Sequence, residues 1–229
     1  MERNQRHVKQ PRRYDSTRRR EQAEQTRGAI LDVARRRFLD DGFTPTTVAA
    51  IAGEVGVSVD TVYKTFGGKP GLVRAICDQG LAGAGPVHAE QRSDALQISE
   101  PDPLRIMQGL GLLAAEVAPR VAPIMLLVRD AAVSDPDMAK LKAELDAQRL
   151  ERMTHNARNL ARAGHLRDDV SVERAGEIMW TYTAPELYEL LVIVRGWTAE
   201  QLGAFTADAL TAALLPRRPS RRRASRRTP

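Results

Sequence analysis

The chain has 229 residues, 42% hydrophobic and 28% charged, with a formal net charge of +6. At roughly 100–200 residues per domain that length allows one or two domains with a real core, and the hydrophobic share excludes a disordered chain. One cysteine, Cys77, excludes an internal disulfide or a multi-cysteine zinc site and fits a reducing cytoplasm.

The positive charge is concentrated at the two ends. Residues 1–20 hold eight Lys/Arg and two acids, and residues 216–229 hold seven Arg and no acid. The stretch between them has 20 basic and 27 acidic residues, a net of −7. Both ends read as disordered basic tails, which attract polyanions or simply solvate the chain. The first residues lack the apolar core of a signal peptide. No run of about 18 uncharged apolar residues occurs, so no membrane span is expected.

Between the tails, helix signals recur and strand signals are nearly absent. Ile30, Ala34 and Phe38, with Leu31 and Val33, form one apolar helical stripe over residues 21–41 that Gly42 ends. Two short helices follow and meet at Gly56. After Gly67-Gly68-Lys69, Pro70 suits the first turn of a fourth helix carrying Leu72, Val73, Ile76, Cys77 and Leu81. Residues 84–101 read as a loop at a domain boundary. Asp102-Pro103 opens a helix expected to end before Pro119, with a buried segment from Val121 to Ala132 beyond it. Ser134-Asp135-Pro136 starts a long charged helix that Gly164 stops. Ser171 caps the next, Pro185 should break or kink it, and Gly196 ends the piece. Thr198 and Gln201 form a capping-box pair for the last helix. The fold class is therefore all-α, with about nine helices.

The segment Thr44–Phe66 carries function. It reads as two helices joined by a tight turn, with Thr46 or Thr47 capping the first, Gly56 making the turn and Ser58 capping the second. Val62 and Phe66 point to the core, which leaves Val59, Asp60, Tyr63 and Lys64 outward. In a helix-turn-helix the start of the second helix enters the major groove. The hydroxyls of Thr47 and Ser58, and the N–H groups of the helix starts, suit phosphate oxygens. Tyr63 suits a phosphate, Lys64 a guanine edge or phosphate, and Asp60 a cytosine amino group. Lys69 is placed for one more phosphate contact. The candidate DNA-binding set is Thr46, Thr47, Ser58, Val59, Asp60, Thr61, Tyr63, Lys64 and Lys69.

Gly42-Phe43, Thr46-Thr47-Val48, Ile51-Ala52, Gly56-Val57-Ser58, Val62-Tyr63, Phe66 and Lys69 fall in a pattern that resembles the amino-terminal domain of TetR-family regulators. The likeness covers roughly residues 24–84 and departs at Val55, where alanine is frequent, and at Asp60, where glycine, proline or a basic residue is usual. Trp180, Tyr182, Pro185-Glu186-Leu187-Tyr188 and Arg195-Gly196-Trp197 are similar to the C-terminal part of many such regulators. The resemblance implies a DNA-binding domain over 21–84 with its helix-turn-helix at 47–66. It implies an effector-binding and dimerisation domain over 102–215 whose last two helices pair with a second subunit. It further implies a cytoplasmic homodimeric repressor that a small molecule releases from a palindromic double-stranded operator.

Met107, Met125, Met179, Trp180 and Tyr182 are candidates for the effector pocket, although Met and aromatic residues at helical spacing more often fill a core. Gly109-Leu110-Gly111 loosely matches a dinucleotide-binding pattern, but without a preceding strand close helix packing explains it better. The four histidines lie far apart and no metal spacing occurs, so neither metal nor cofactor is expected. No nucleophile elbow, phosphate loop or carboxylate constellation supports an enzyme or carrier. A sequence-tolerant DNA-coating protein driven by its tails is the alternative.

Overall fold

The computed structural model describes residues 14–83, 85 and 87–216, and every regular element among them is helical. The chain forms two compact units that divide between Leu72 and Val73.

The first unit contains α1 (Tyr14–Asp40), α2 (Val48–Val55), α3 (Val59–Phe66) and the start of α4 (Lys69–Ala82). The apolar stripe of α1 is buried at Ile30, Leu31, Ala34 and Phe38, and Phe38 stacks on Phe43 with ring centroids 5.8 Å apart. Residues 14–20, expected as part of a disordered tail, are the first turns of α1. The reason is propagation: a helix nucleated by the buried stripe extends at low cost through Arg, Glu, Gln and Ala, which are good helix formers. The remaining basic residues of both ends, 1–13 and 217–229, lie outside the described residues.

The second unit comprises the rest of α4, then α5 (Ala89–Ser99), α6 (Pro103–Ala131), α7 (Pro136–Arg162), α8 (Val172–Tyr182), α9 (Pro185–Tyr188) and α10 (Ala199–Leu214). After α9 the chain widens into a π-helical segment, Glu189–Val194. Asp102, Asp135, Ser171 and Thr198 each cap the helix that follows with a side-chain oxygen, and Thr198 with Gln201 completes the capping box. Pro185 opens α9 after a break at Thr183 and Ala184. The core gathers Ile106, Met107, Leu110, Ala157, Leu160, Ala175, Met179, Leu210, Leu214 and Leu215.

Two expectations are corrected here. Residues 89–99 are helical instead of looped. The inward stripe of α5 is Ala89, Ser93 and Gln97, while Ile98 is 83% exposed, so the helix buries polar side chains and shows no apolar period. The donors of the stripe meet Asn156 of α7, whose Oδ1 accepts from Ser93 Oγ at 3.2 Å and from Gln97 Nε2 at 3.0 Å, while Gln97 Oε1 is buried with no partner. In the second correction, α6 does not end before Pro119 but continues through Pro119 and Pro123 to Ala131. Each proline removes one backbone donor. Packing on both sides offsets that loss: Gly111 abuts Gly203 before them, Ile124, Leu126 and Val128 are buried after them, and Arg129 pairs with Glu189 at 2.6 Å. By length and composition α6 is apolar enough to cross a membrane. Within the second unit its apolar sides face α10 and line a cavity.

Gly111 and Gly203 let α6 and α10 approach closely. A Cβ built on Gly203 would lie 2.5 Å from the Gly111 carbonyl oxygen and 2.8 Å from Ala115 Cβ. The loosely nucleotide-like Gly109-Leu110-Gly111 is thus a place where helices approach, with Gly109 against Leu96 and Gly111 against α10.

Candidate functional site

The first unit presents α3 as a capped, outward helix. Thr47 Oγ1 accepts from the Ala50 N–H at 3.1 Å and starts α2. Gly56 ends α2 at φ 79°, a left-handed conformation that favours glycine. Ser58 Oγ then accepts from the Thr61 N–H at 3.1 Å and starts α3. Only Val62 of α3 is fully buried. Ser58, Val59, Asp60, Tyr63, Lys64 and Thr65 are exposed, and Thr61 is half-buried.

The chemistry of that face is more specific than a row of cations. Lys64 Nζ sits 2.7 Å from Asp60 Oδ2, one helical turn away. Both side chains are largely exposed, so the pair adds little stability. The pair leaves that turn of the outward face balanced in charge. Behind α3, the Arg27 guanidinium lies 4.6 Å above the Phe66 ring. Glu54 of α2 accepts from Arg36 and Arg37 of α1, and those two bonds hold its carboxyl below the usual carboxylate range.

Two proposed contact residues are placed otherwise. Thr46 is 2% exposed, and its hydroxyl donates to the Arg37 carbonyl at 3.1 Å and the Gly42 carbonyl at 2.8 Å. It locks the α1–α2 loop instead of facing outward. Lys69 Nζ donates to the Phe43 carbonyl at 2.5 Å and the Thr44 carbonyl at 3.4 Å, 4.1 Å above the Phe43 ring. Its ammonium serves the unit's own backbone. Thr65 is also exposed on α3, and its hydroxyl donates to the Thr61 carbonyl at 2.7 Å.

The second unit holds a cavity of about 750 Å³. Its walls are mostly apolar, with Leu110, Leu113, Val117 and Val121 from α6, Leu202 and Leu210 from α10, and Cys77 and Leu81 from α4. Of the five effector candidates, Met125, Met179 and Tyr182 line it. Met107 does not: it is fully buried in the core beside Ile106 and Leu110. Trp180 lines an adjoining small cavity of about 70 Å³ instead.

Charged residues on the wall differ in their pairing. Arg152 donates to Asp94 from Nη2 at 2.7 Å and from Nη1 at 3.2 Å, and His155 Nε2 is 3.1 Å from the same carboxylate. The Arg152 bonds come first among the causes that hold the Asp94 carboxyl below its ordinary range. Arg149 lies 4.3 Å above the Trp180 ring and donates to the Trp180 carbonyl. Burial pushes its pKa down, against the favourable fields of Asp146 and Glu186. Among the described residues no group of three or more His, Cys, Asp or Glu side chains is gathered to hold a metal.

Residues 30–76 match the family model of bacterial regulatory proteins of the tetR family. The probable HTH-type transcriptional regulator ArpR of Pseudomonas putida is 27% identical over 192 residues, covering 77% of this chain and 90% of that protein. TtgR, an HTH-type transcriptional regulator also from Pseudomonas putida, is likewise 27% identical, over the same shares of the two chains. Among solved structures, a SmeT–triclosan complex shares the fold with a TM-score of 0.64 at 20% identity, over 83% of this chain and 92% of the other. The helix-turn-helix of α2 and α3, the family match that spans it and the two regulators aligned beyond it make this chain similar to DNA-binding transcriptional regulators of the TetR family.

Proposed function

We propose that the protein is a cytoplasmic homodimeric repressor, released from a palindromic operator by a small molecule bound in its second unit. The observation that carries this reading is the outward face of α3. Val59, Asp60, Tyr63 and Lys64 are exposed around one buried anchor, Val62, and the helix start is capped by Ser58. That arrangement suits base edges in the major groove, with the N–H groups at the starts of α2 and α3 aimed at phosphates. Thr47, Ser58, Thr61, Tyr63 and Lys64 are the residues assigned to DNA.

Residues 21–84, which hold α2, α3, α4 and most of α1, carry DNA binding. The span 102–215 carries effector binding and dimerisation. The cavity of the second unit, lined mostly by that span and partly by α4 and α5, has the size and apolar walls of a small-molecule site. SmeT, whose solved complex holds triclosan, is described as the repressor of a multidrug efflux pump in Stenotrophomonas maltophilia, which supports both halves of the reading. A single helix, α4, runs from Lys69 to the cavity-lining Cys77, Asp78 and Leu81. An effector that binds two conformations of α4 with different affinity shifts the DNA-binding population by that difference. For the dimer, the π-helical segment exposes Leu190, Ile193 and Val194 at 55%, 58% and 66%. Three large apolar side chains on one short segment suit burial against a second copy.

Mobility-shift titration on the DNA preceding the protein's own gene tests the assignment. Combining Tyr63→Phe with Lys64→Ala is expected to weaken binding at least about tenfold, since one lost base or phosphate contact is worth roughly 1–3 kcal/mol and a dimer loses it twice. Unchanged binding by this variant would remove α3 as the reading element.

A further inference from the structure

We propose that the cavity of the second unit takes an amphipathic organic anion, a carboxylate on an apolar body, and that Arg149 grips its head group. The proposal rests on the effector-binding reading above and names the chemistry of that site. Arg149 stands at the junction of the two cavities and lines both. Its side chain is only 14% exposed. A guanidinium carries five N–H donors. On Arg149, Nη1 donates to the Trp180 carbonyl and, at 3.5 Å, to Thr183 Oγ1. Nη2 comes no nearer to Asp146 than 3.8 Å, and Nε is buried with no hydrogen-bond partner. Nε and Nη2 form one edge of the guanidinium, the fork that matches the two oxygens of a carboxylate.

The neighbours do not fill that edge. Asp146 is held by Lys142 at 2.6 Å, Glu186 is exposed, and Arg129 is paired with Glu189. The other cation on the cavity wall, Arg152, is occupied by Asp94 through both Nη atoms. The acids on the wall, Asp78, Glu90 and Glu151, are exposed. A cationic ligand therefore meets only hydrated carboxylates, where pairing gains little. An anion meets an under-paired guanidinium in a water-poor setting, where the same attraction is much stronger. Leu113, Val117, Val121 and Met179 supply the surface for the apolar body.

The test uses the full chain titrated with dodecanoate, dodecan-1-ol and dodecylamine, each below its micelle-forming concentration. Calorimetry and the fluorescence of Trp180, which lies under Arg149, report binding. The expected order is dodecanoate tighter than the alcohol by about 10- to 100-fold, as for a charge-assisted hydrogen bond, with the amine weakest. Arg149→Gln should bind acid and alcohol alike, and its alcohol binding and helical circular dichroism show that the cavity persists. Arg149→Lys keeps the charge without the fork and should retain part of the preference. The inference is overturned if the wild-type chain binds none of the three, shows no preference for the acid, or if Arg149→Gln keeps that preference. Arg149-dependent binding that leaves operator DNA bound would sink the effector reading and spare this site. Operator release by the alcohol or amine, indifferent to Arg149, would do the reverse.

Discussion

Replacing Phe38 with alanine is expected to abolish operator binding by unfolding the first unit. Phe38 is 0% exposed and is among the largest fully buried side chains. It closes the stripe that Ile30, Leu31 and Ala34 begin on α1, and its ring stacks on Phe43. Phe43 in turn lies under the Lys69 ammonium, whose donation to the Phe43 and Thr44 carbonyls ties the start of α4 to this loop. Truncating a buried Phe to Ala costs about 3–5 kcal/mol, from lost transfer energy and the cavity left behind. Whole domains are stable by only about 5–15 kcal/mol, and small ones sit at the low end. Urea unfolding followed by circular dichroism should show an early transition carrying the helical signal of the first unit. A variant that unfolds as late as the wild type would mean that Phe38 is not its keystone.

The second large effect is expected from Gly203→Val. The Cβ alone would meet the Gly111 carbonyl oxygen at 2.5 Å and Ala115 Cβ at 2.8 Å. The first of these is backbone, which cannot rotate aside. The two methyl groups of valine add to the conflict, so α6 and α10 must separate. Overpacking of this kind costs about 1–3 kcal/mol and occasionally more. We expect the upper end, about 3 kcal/mol, because Leu202, Thr206, Leu210 and Leu214 of α10 lose burial together. The same helix carries two of the cavity's apolar side chains, so effector response should be lost with stability. Thermal unfolding measures the first and mobility shift in the presence of an effector the second. A fully stable Gly203→Val protein would show that the two helices do not cross at these glycines.

How much was legible in the sequence follows from how local each signal is. Thr47, Gly56 and Ser58 act within four residues of their partners, so caps and turn read directly from residue type. The adjacent threonines show the limit: both are competent caps, but Thr46 turns inward to the Arg37 and Gly42 carbonyls. The intramolecular contact of Lys69 is not legible for a related reason. Its partner, Phe43, lies 26 residues away, and no spacing rule connects them.

In the second unit, α5 is not legible because helical periodicity is sought in apolar residues, whereas its inward side chains include Ser93 and Gln97, which donate to Asn156 of α7. The prolines of α6 misled because local breaking rules give way to packing on both sides. The cavity is the least legible feature. Periodicity tells which side chains face inward, but not where the inward faces fail to meet. Met107 and Met179 look alike in sequence; one is packed wholly in the core and the other also borders the void. In the sequence Arg149 resembles any other charge on a long polar helix, and only the fold sets it between the two cavities.

The central claim is that α2 and α3 read an operator as a symmetric pair. Hydroxyl-radical footprinting of the full chain on the DNA preceding its own gene tests this most directly. The account predicts two protected patches related by two-fold symmetry, with centres roughly 34–36 Å apart along the duplex. Featureless protection that spreads along any DNA and follows the basic tails would contradict it.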